Sequence, residues 1–249
     1  MHALVTNDDG IDSPGLAVLA RVALDAGYDV TVAAPATEYS GASASLAGAG
    51  YDGRLAVEQR RAPGLPDDVR SLAVSASPAL IAFAAAYEAL GPKPDLLLSG
   101  VNLGPNTGNA VLHSGTVGAA MSGTVLGVPS LAFSLNGIKP QHWDTAEHVA
   151  RHVVQWALRA PLDGLTVSVN VPDVPVTDLR GLRQAPLASF GVVQGRVVES
   201  DERMIVMRYD MTEDTSEPDS DAGLLAQRWA TVTLLRPPSA DTGLEVPGL

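Results

Sequence analysis

Apolar and polar positions follow two alternating periods along the first 172 residues, and the rhythm changes after that. His2–Thr6 is a short apolar run of buried-strand type. "SPGLAVLARVALDAGYDV" (13–30) follows, with Leu16, Leu19, Ala20 and Ala23 at helical spacing. Ser13 suits the cap of this helix, Pro14 its first position and Gly27 its stop. "DVTVAAP" (29–35) is the next strand, and a strand–helix–strand unit of this length predicts a parallel pair.

The alternation continues. Residues 36–53, rich in Gly, Ala and Ser, read as a loop. "SLAVSA" (71–76) is a strand, and Ser77-Pro78 open an Ala-rich helix to about Leu90. "PDLLLSG" (94–100) is a buried strand, and "VNLGPNTGNAVLH" (101–113) is too rich in Gly and Asn for a regular element. A helix over 114–127, a strand over 129–135, a helix over 145–160 and a strand over 165–172 complete the series. Alternating β and α elements predict an α/β fold: a three-layer, doubly wound, mostly parallel sheet of Rossmann-like type. Residues 1–175 form its core.

Residues 176–249 read as an extension of the same overall domain. "GRVVES" (195–200) and "RMIVMRYD" (203–210) pair as a C-terminal β-hairpin, "EDTSEPDSDAG" (213–223) is an acidic mobile loop, and "RWATVTLLRP" (228–237) is a last strand before a fraying tail. The hairpin is apolar enough either to fold back on its own domain or to pair with another chain.

Composition narrows the chemistry. Of 249 residues, 46% are hydrophobic but only 4% aromatic, so the core is built from Ala, Val and Leu. The net charge of −12 argues against a nucleic-acid polymer as partner. A small phosphate ester remains open to it. With no cysteine there is no disulfide, thiolate metal site or Cys nucleophile. No stretch has the form of a signal peptide or a membrane span, so a cytoplasmic location is expected. Gly-x-x-x-x-Gly-Lys-Ser/Thr, Gly-x-Ser-x-Gly, His-Glu-x-x-His and Gly-x-Gly-x-x-Gly after the first strand are all missing. That disfavours a P-loop NTPase, an α/β-hydrolase triad, a zincin and a standard dinucleotide dehydrogenase.

Ligands of an open α/β sheet sit beyond the carboxyl ends of its strands. Four polar loops fall there: Asn7-Asp8-Asp9-Gly10, "TEYSGASAS" (37–45), "SGVNLGPNTG" (99–108) and "HSGT" (113–116). Taken singly, each has a plain alternative. Asp-Asp-Gly makes a good turn, Ser114 an N-cap, and Asn102 and Asn106 left-handed turn residues; "SGASAS" makes a flexible loop. Together on one rim they suit more: two adjacent carboxylates beside Ser and Asn oxygens fit a hard divalent cation, and Ser-Gly-Thr at a helix start fits an anion. A hard metal beside an anion site is the equipment of phosphate-ester hydrolysis. His113 reads as a pocket wall or a satisfied, partially buried histidine rather than a ligand, since no other His or Cys lies at ligand spacing.

"VTNDDGIDSPGL", "AAPATEYSGASASL", "LLLSGVNLGPNTG" and "VLHSGTVGAAMSGTVLGVPSLAFSL" resemble, in order, the motifs of the stationary-phase survival protein SurE family; "VSVNVPD" and "WATVTLLRP" are similar to its later landmarks. The resemblance implies a divalent-metal-dependent phosphomonoesterase hydrolysing nucleoside 5′- and 3′-monophosphates, with one Mg²⁺ or Mn²⁺ per subunit. The family's metal ligands fall on Asp8, Asp9, Ser40 and Asn102, with Asp8 and Asp9 also catalytic. Phosphate or substrate contacts fall on Asn7, Gly41, Asn106, Ser114, Gly115 and Thr116. Either a water activated at the metal or one of the aspartates attacks phosphorus. The resemblance also implies a homodimer or homotetramer that exchanges its hairpins. Three positions depart from the family pattern: His113 replaces a Tyr, Leu80 an Asp, and "TEY" (37–39) a basic Arg-Asn-Arg. These bear on substrate choice, leaving a phosphatase for another small phosphate ester as the rival reading. A non-catalytic nucleotide-binding module is a further alternative, and a metal-dependent glycosyltransferase the most distant one.

Overall fold

The computed structural model of the chain describes residues 1–48, 53–137, 139–201, 204–211 and 217–240. Five parallel pairings build its centre. β1 (His2–Thr6) lies between β2 (Asp29–Pro35) and β5 (Leu96–Leu103); β4 (Arg70–Val74) pairs with β2, β6 (Ser130–Asn136) with β5, and β7 (Thr166–Pro172) with β6. These strands are buried on both faces, which is why they read as almost continuous apolar runs.

Helices close both faces. α1 (Gly15–Asp25) and α4 (Trp143–Ala157) share one apolar cluster, in which Leu16, Leu19, Val149 and Val153 pack on Val5, Val32 and Leu98. α2 (Pro78–Ala86) and α3 (Gly115–Val125) share the other, where Ile81, Ala85, Val117 and Ala120 meet Leu4, Leu72 and Leu97. Small side chains let the layers approach closely, and among the described residues Phe133 is the largest side chain that is fully buried. The three-layer doubly wound arrangement read from the sequence is therefore present. Ser114 caps α3 as its position suggests, its Oγ accepting from Val117 N (3.1 Å); α1 starts one residue later than its punctuation, with Pro14 at the N-cap and Ser13 Oγ making only a long contact to Gly15 N (3.4 Å).

Several elements differ from the sequence reading. Two three-residue strands, β3 (Val57–Gln59) and β8 (Leu182–Gln184), cap the two edges of a nine-stranded sheet, and both are too short to show a period. α2 stops at Ala86 rather than near Leu90. β5 runs on to Leu103, through a stretch that reads as irregular, because the strand shifts register between Ser99 and Asn102 and then resumes pairing with β6. Gly100 permits this shift: its φ is +125°, and a Cβ there would lie 2.2 Å from Phe133 O.

After β7 the chain returns to the sheet twice, as β8 and then as β11 (Ala230–Leu235), which is antiparallel to β7 and parallel to β8. β9 (Val193–Ser200) and β10 (Ile205–Met211) form a separate two-stranded antiparallel ladder, as read from the sequence; the tip residues Glu202 and Arg203 lie outside the described residues. Of the acidic run 213–223, residues 213–216 also lie outside them, and its end is ordered: α5 (Asp221–Ala226) starts at Ser220, whose Oγ accepts from Gly223 N at 3.1 Å. The mobile-loop reading is corrected there, because Asp221 and the apolar Leu224 and Leu225 are buried.

Candidate active site

Strand order β4-β2-β1-β5-β6-β7 means that the chain winds outward in opposite directions from β1 and β5. Crossovers diverge at that point and leave a crevice beyond the carboxyl ends of the two strands. Asp8 and Asp9 follow β1 directly, and Asn102 lies near the end of β5.

Asp8 is 3% exposed. Its Oδ2 accepts from Thr116 N at 3.0 Å, and its Oδ1 accepts from Thr116 Oγ1. The carboxylate therefore caps the N-terminus of α3, where the helix dipole favours negative charge. Gly115 is required by this approach, since a Cβ would stand 2.7 Å from Asp8 Oδ2. Thr116 Oγ1 also lies 3.2 Å from Asn102 Oδ1, and Asn102 is oriented by its Nδ2 donating to Gly104 O at 2.8 Å. Asp9 is held more loosely, by Leu103 N at 3.3 Å from its Oδ2.

Burial pushes the Asp8 carboxyl up, opposed by the Thr116 hydrogen bonds. The Asp9 carboxyl is pushed up to about 7, first by burial, then by the neighbouring Asp8 charge, with Glu38 adding to it against the Leu103 N–H. Three oxygens, Asp8 Oδ1, Thr116 Oγ1 and Asn102 Oδ1, converge with one hydroxyl proton among them, beside a second carboxylate. Such an oxygen-rich, proton-poor cluster fits a hard divalent cation, which would supply the positive charge that the two carboxylates lack. Among the described residues no group of three or more His, Cys, Asp or Glu is assembled for a metal. The oxygens gathered here are those of two carboxylates with neutral Thr and Asn oxygens, a set of the kind that would leave Mg²⁺ several waters and room for phosphate.

The remaining candidates are placed as follows. Tyr39 N donates to Asp8 O at 2.8 Å, tying the 37–45 loop to the aspartate pair. Ser40 Oγ donates to Glu38 Oε1 at 2.6 Å, and Gly41 sits beside it in a left-handed conformation. Ser114 is buried as the α3 cap. Asn106 is near the β6 end, its Nδ2 donating to Ser134 Oγ at 2.8 Å. Asn7 is fully buried and its amide closes the Asp-Asp-Gly turn in both directions, with Gly10 N donating to Oδ1 and Nδ2 to Gly10 O, each at 3.1 Å. Its side chain thus shapes the aspartate turn from within. His113 is exposed at the end of the 3-10 turn 108–113, and Leu80 packs against the α2–α3 cluster.

Sequence reasoning missed several supports. Ser43 clamps the second loop to the fourth: its Oγ donates to Leu112 O at 2.7 Å and its N to His113 O at 3.3 Å. Glu38 brings a third negative charge toward Asp9. Asn170, polar in the middle of an apolar strand, holds Asn106. That buried asparagine was the one visible signal, because an amide in a strand core needs a specific partner.

Similarity to known proteins extends along most of the chain. A family model described as "Survival protein SurE" matches residues 3–192. The 5′/3′-nucleotidase SurE of Salmonella arizonae is 36% identical over 251 aligned positions, covering 94% of this chain and 90% of that protein. The 5′-nucleotidase SurE of Alkalilimnicola ehrlichii is 41% identical over 187, covering 73% of this chain and 66% of that one. The crystal structure of the SurE protein of Aquifex aeolicus superposes with a TM-score of 0.79 at 27% identity, covering 97% of this chain and 95% of that one. In sequence along most of its length, and in fold, this chain belongs to the survival protein SurE family.

Proposed function

We propose that the protein is a 5′/3′-nucleotidase, hydrolysing nucleoside monophosphates to nucleoside and inorganic phosphate with the aid of one divalent ion, Mg²⁺ or Mn²⁺. The observation that carries this reading is the convergence of Asp8, Thr116 and Asn102 oxygens beside Asp9 at the strand crevice. The names of the relatives, 5′/3′-nucleotidase and 5′-nucleotidase, support the substrate class.

Asp8, Asp9 and Asn102 would hold the ion, with Ser40 joining once its hydroxyl leaves Glu38. The ion would supply Lewis-acid charge to the phosphoryl group and a water of lowered pKa. Thr116 fixes Asp8 and so sets where the phosphoryl group sits. Asp9, with one long bond, is the carboxylate left to face the substrate and its incoming water. In the reaction a water oxygen bonds to phosphorus and gives up one proton, the P–O bond to the nucleoside breaks, and the departing oxygen takes up a proton in its place, so that water is divided between nucleoside and phosphate. Ser114 and Asn106, at the rim of the same crevice, would donate to the peripheral phosphate oxygens.

Exposed apolar side chains on the hairpin, Val197, Met204, Ile205 and Met207, support pairing with a second copy of the chain. No helix among the described residues is long and apolar enough to cross a membrane. The composition and the metabolite substrate fit a cytoplasmic location. The test is phosphate release from a panel of nucleoside 5′- and 3′-monophosphates and unrelated sugar phosphates, with EDTA and with Mg²⁺ or Mn²⁺ restored. Preference for nucleotides, lost in EDTA, is the expected result; equal or faster turnover of the sugar phosphates would move the substrate class.

A further inference from the structure

The loop that carries Asn106, residues 104–108, is anchored by several residues distant in sequence. From the sheet side, Asn170 Oδ1 accepts from Asn106 N at 2.8 Å and Asn170 Nδ2 donates to Asn106 O at 2.9 Å. From the other side the anchor is Asp221, which is fully buried. Its Oδ2 accepts from Gly108 N at 2.9 Å, and its Oδ1 from Ala188 N at 2.9 Å and from Ala222 N at 2.8 Å. A buried carboxylate without donors is strongly unfavourable, and here three backbone N–H groups from three separate segments satisfy it.

Two further contacts repeat the connection. Thr107 Oγ1 accepts from Val192 N at 3.0 Å. The backbones touch: a Cβ on Gly108 would lie 2.6 Å from Phe190 O, and one on Gly191 would lie 2.5 Å from Thr107 O. Segment 186–192 therefore lies against the Asn106 loop and runs directly into β9 of the hairpin. None of these bonds involves Asp8, Asp9 or Asn102.

We infer that Asp221 is a positioning residue for substrate: it fixes the Asn106 loop against the segment that leads into the hairpin, so that the C-terminal extension sets substrate affinity separately from the metal ligands. The inference rests on the assignment of Asn106 to the substrate phosphate made above. It predicts that loosening this anchor raises KM while leaving kcat and metal affinity in place.

The test uses the full chain as wild type, Asp221→Asn and Thr107→Val. Asp221→Asn turns one acceptor into a donor facing an N–H; Thr107→Val removes the acceptor for Val192 N with little change of shape. Hydrolysis of a nucleoside 5′-monophosphate at saturating Mn²⁺ should show KM raised about tenfold, with kcat and the Mn²⁺ Kd near wild type. Combining either change with Asn106→Ala should raise KM no further than Asn106→Ala alone. Hydrogen exchange at residues 104–108 should quicken in both variants, with exchange at residues 7–10 unaltered. Unchanged KM, effects that multiply with Asn106→Ala, or unchanged exchange in the loop would overturn the inference. If Asp221→Asn does not fold, Thr107→Val carries the same comparison. A wild-type chain inactive on every nucleotide would strike the nucleotidase reading, and the exchange measurement would still decide whether Asp221 anchors the loop.

Discussion

Asp8, at the end of the first strand, caps the helix that begins at Gly115: its Oδ2 accepts from Thr116 N at 3.0 Å and its Oδ1 from the Thr116 hydroxyl. A helix start that reads in sequence as an anion site is thus already occupied by the protein's own carboxylate. The consequence is a rigid Asp8 and a Thr116 hydroxyl that serves the aspartate before it can serve a ligand.

Thr116→Val keeps the backbone donor and removes the hydroxyl. A hydrogen bond to a buried charged group contributes about 1.5–3 kcal/mol. Metal affinity and kcat/KM should each fall by roughly 10- to 100-fold, as on loss of an outer-shell partner, measured by calorimetry with Mn²⁺ and by phosphate release. Metal affinity equal to wild type would show that Thr116 does not support the metal ligands.

Glu38 stands in a segment that is basic in the family pattern, and its charge helps raise the Asp9 carboxyl. It also accepts the Ser40 hydroxyl. Glu38→Gln removes a repulsion worth at most about 0.5–1 kcal/mol at an exposed site, so KM for a phosphate dianion should fall roughly two- to fivefold. The gain should shrink at high salt. An unchanged KM at low ionic strength would place Glu38 away from the bound phosphate.

The fold was legible where one physical signal dominated. β1, α1 and β2 follow from an apolar run, a helical period and the stop at Gly27, whose φ is +85°. β3 and β8 have three residues each and carry no period. Asp221 was hidden because the acidic residues around it look like a solvated run, and only tertiary contacts with Gly108 and Ala188 show that it is buried. The placement of Asp8, Asp9 and Asn102 at one crevice was legible, because the first two follow β1 and the third lies near the end of β5. The bonds of Asn7 to Gly10 were not legible, because the same amide chemistry serves a turn and a ligand.

Asp9 gives the metal-free protein a pH signature. Its carboxyl is near 7 folded against the ordinary 3.8 unfolded, so between these values the folded state binds more protons than the unfolded one. Stability therefore falls as pH rises through this window, by at most about 1.4 kcal/mol per pH unit, and is greatest on the acid side. Asp8 is shifted in the same direction. Thermal melts in EDTA from pH 4.5 to 8 should show Tm declining with pH, and Asp9→Asn should flatten much of that slope. A wild-type Tm that rises across the window would contradict the burial-driven shift.

The hairpin β9–β10 makes its own two-stranded ladder and exposes Ile205 and Met204. Isolated hairpins are marginal in water, so a second copy should cover it. Deleting 196–209 should give a smaller species by light scattering. A wild-type chain that is monomeric at micromolar concentration would refute this pairing.

The most direct test of the account is a calorimetric titration of Mn²⁺ into the metal-stripped protein and into its Asp9→Asn variant at pH 8. The account predicts one site per chain in the wild type, and binding weakened at least about tenfold in the variant, since a hard cation depends on anionic oxygens. No binding to the wild type, or equal binding to both, would contradict the assignment of Asp8, Asp9 and Asn102 as a metal centre.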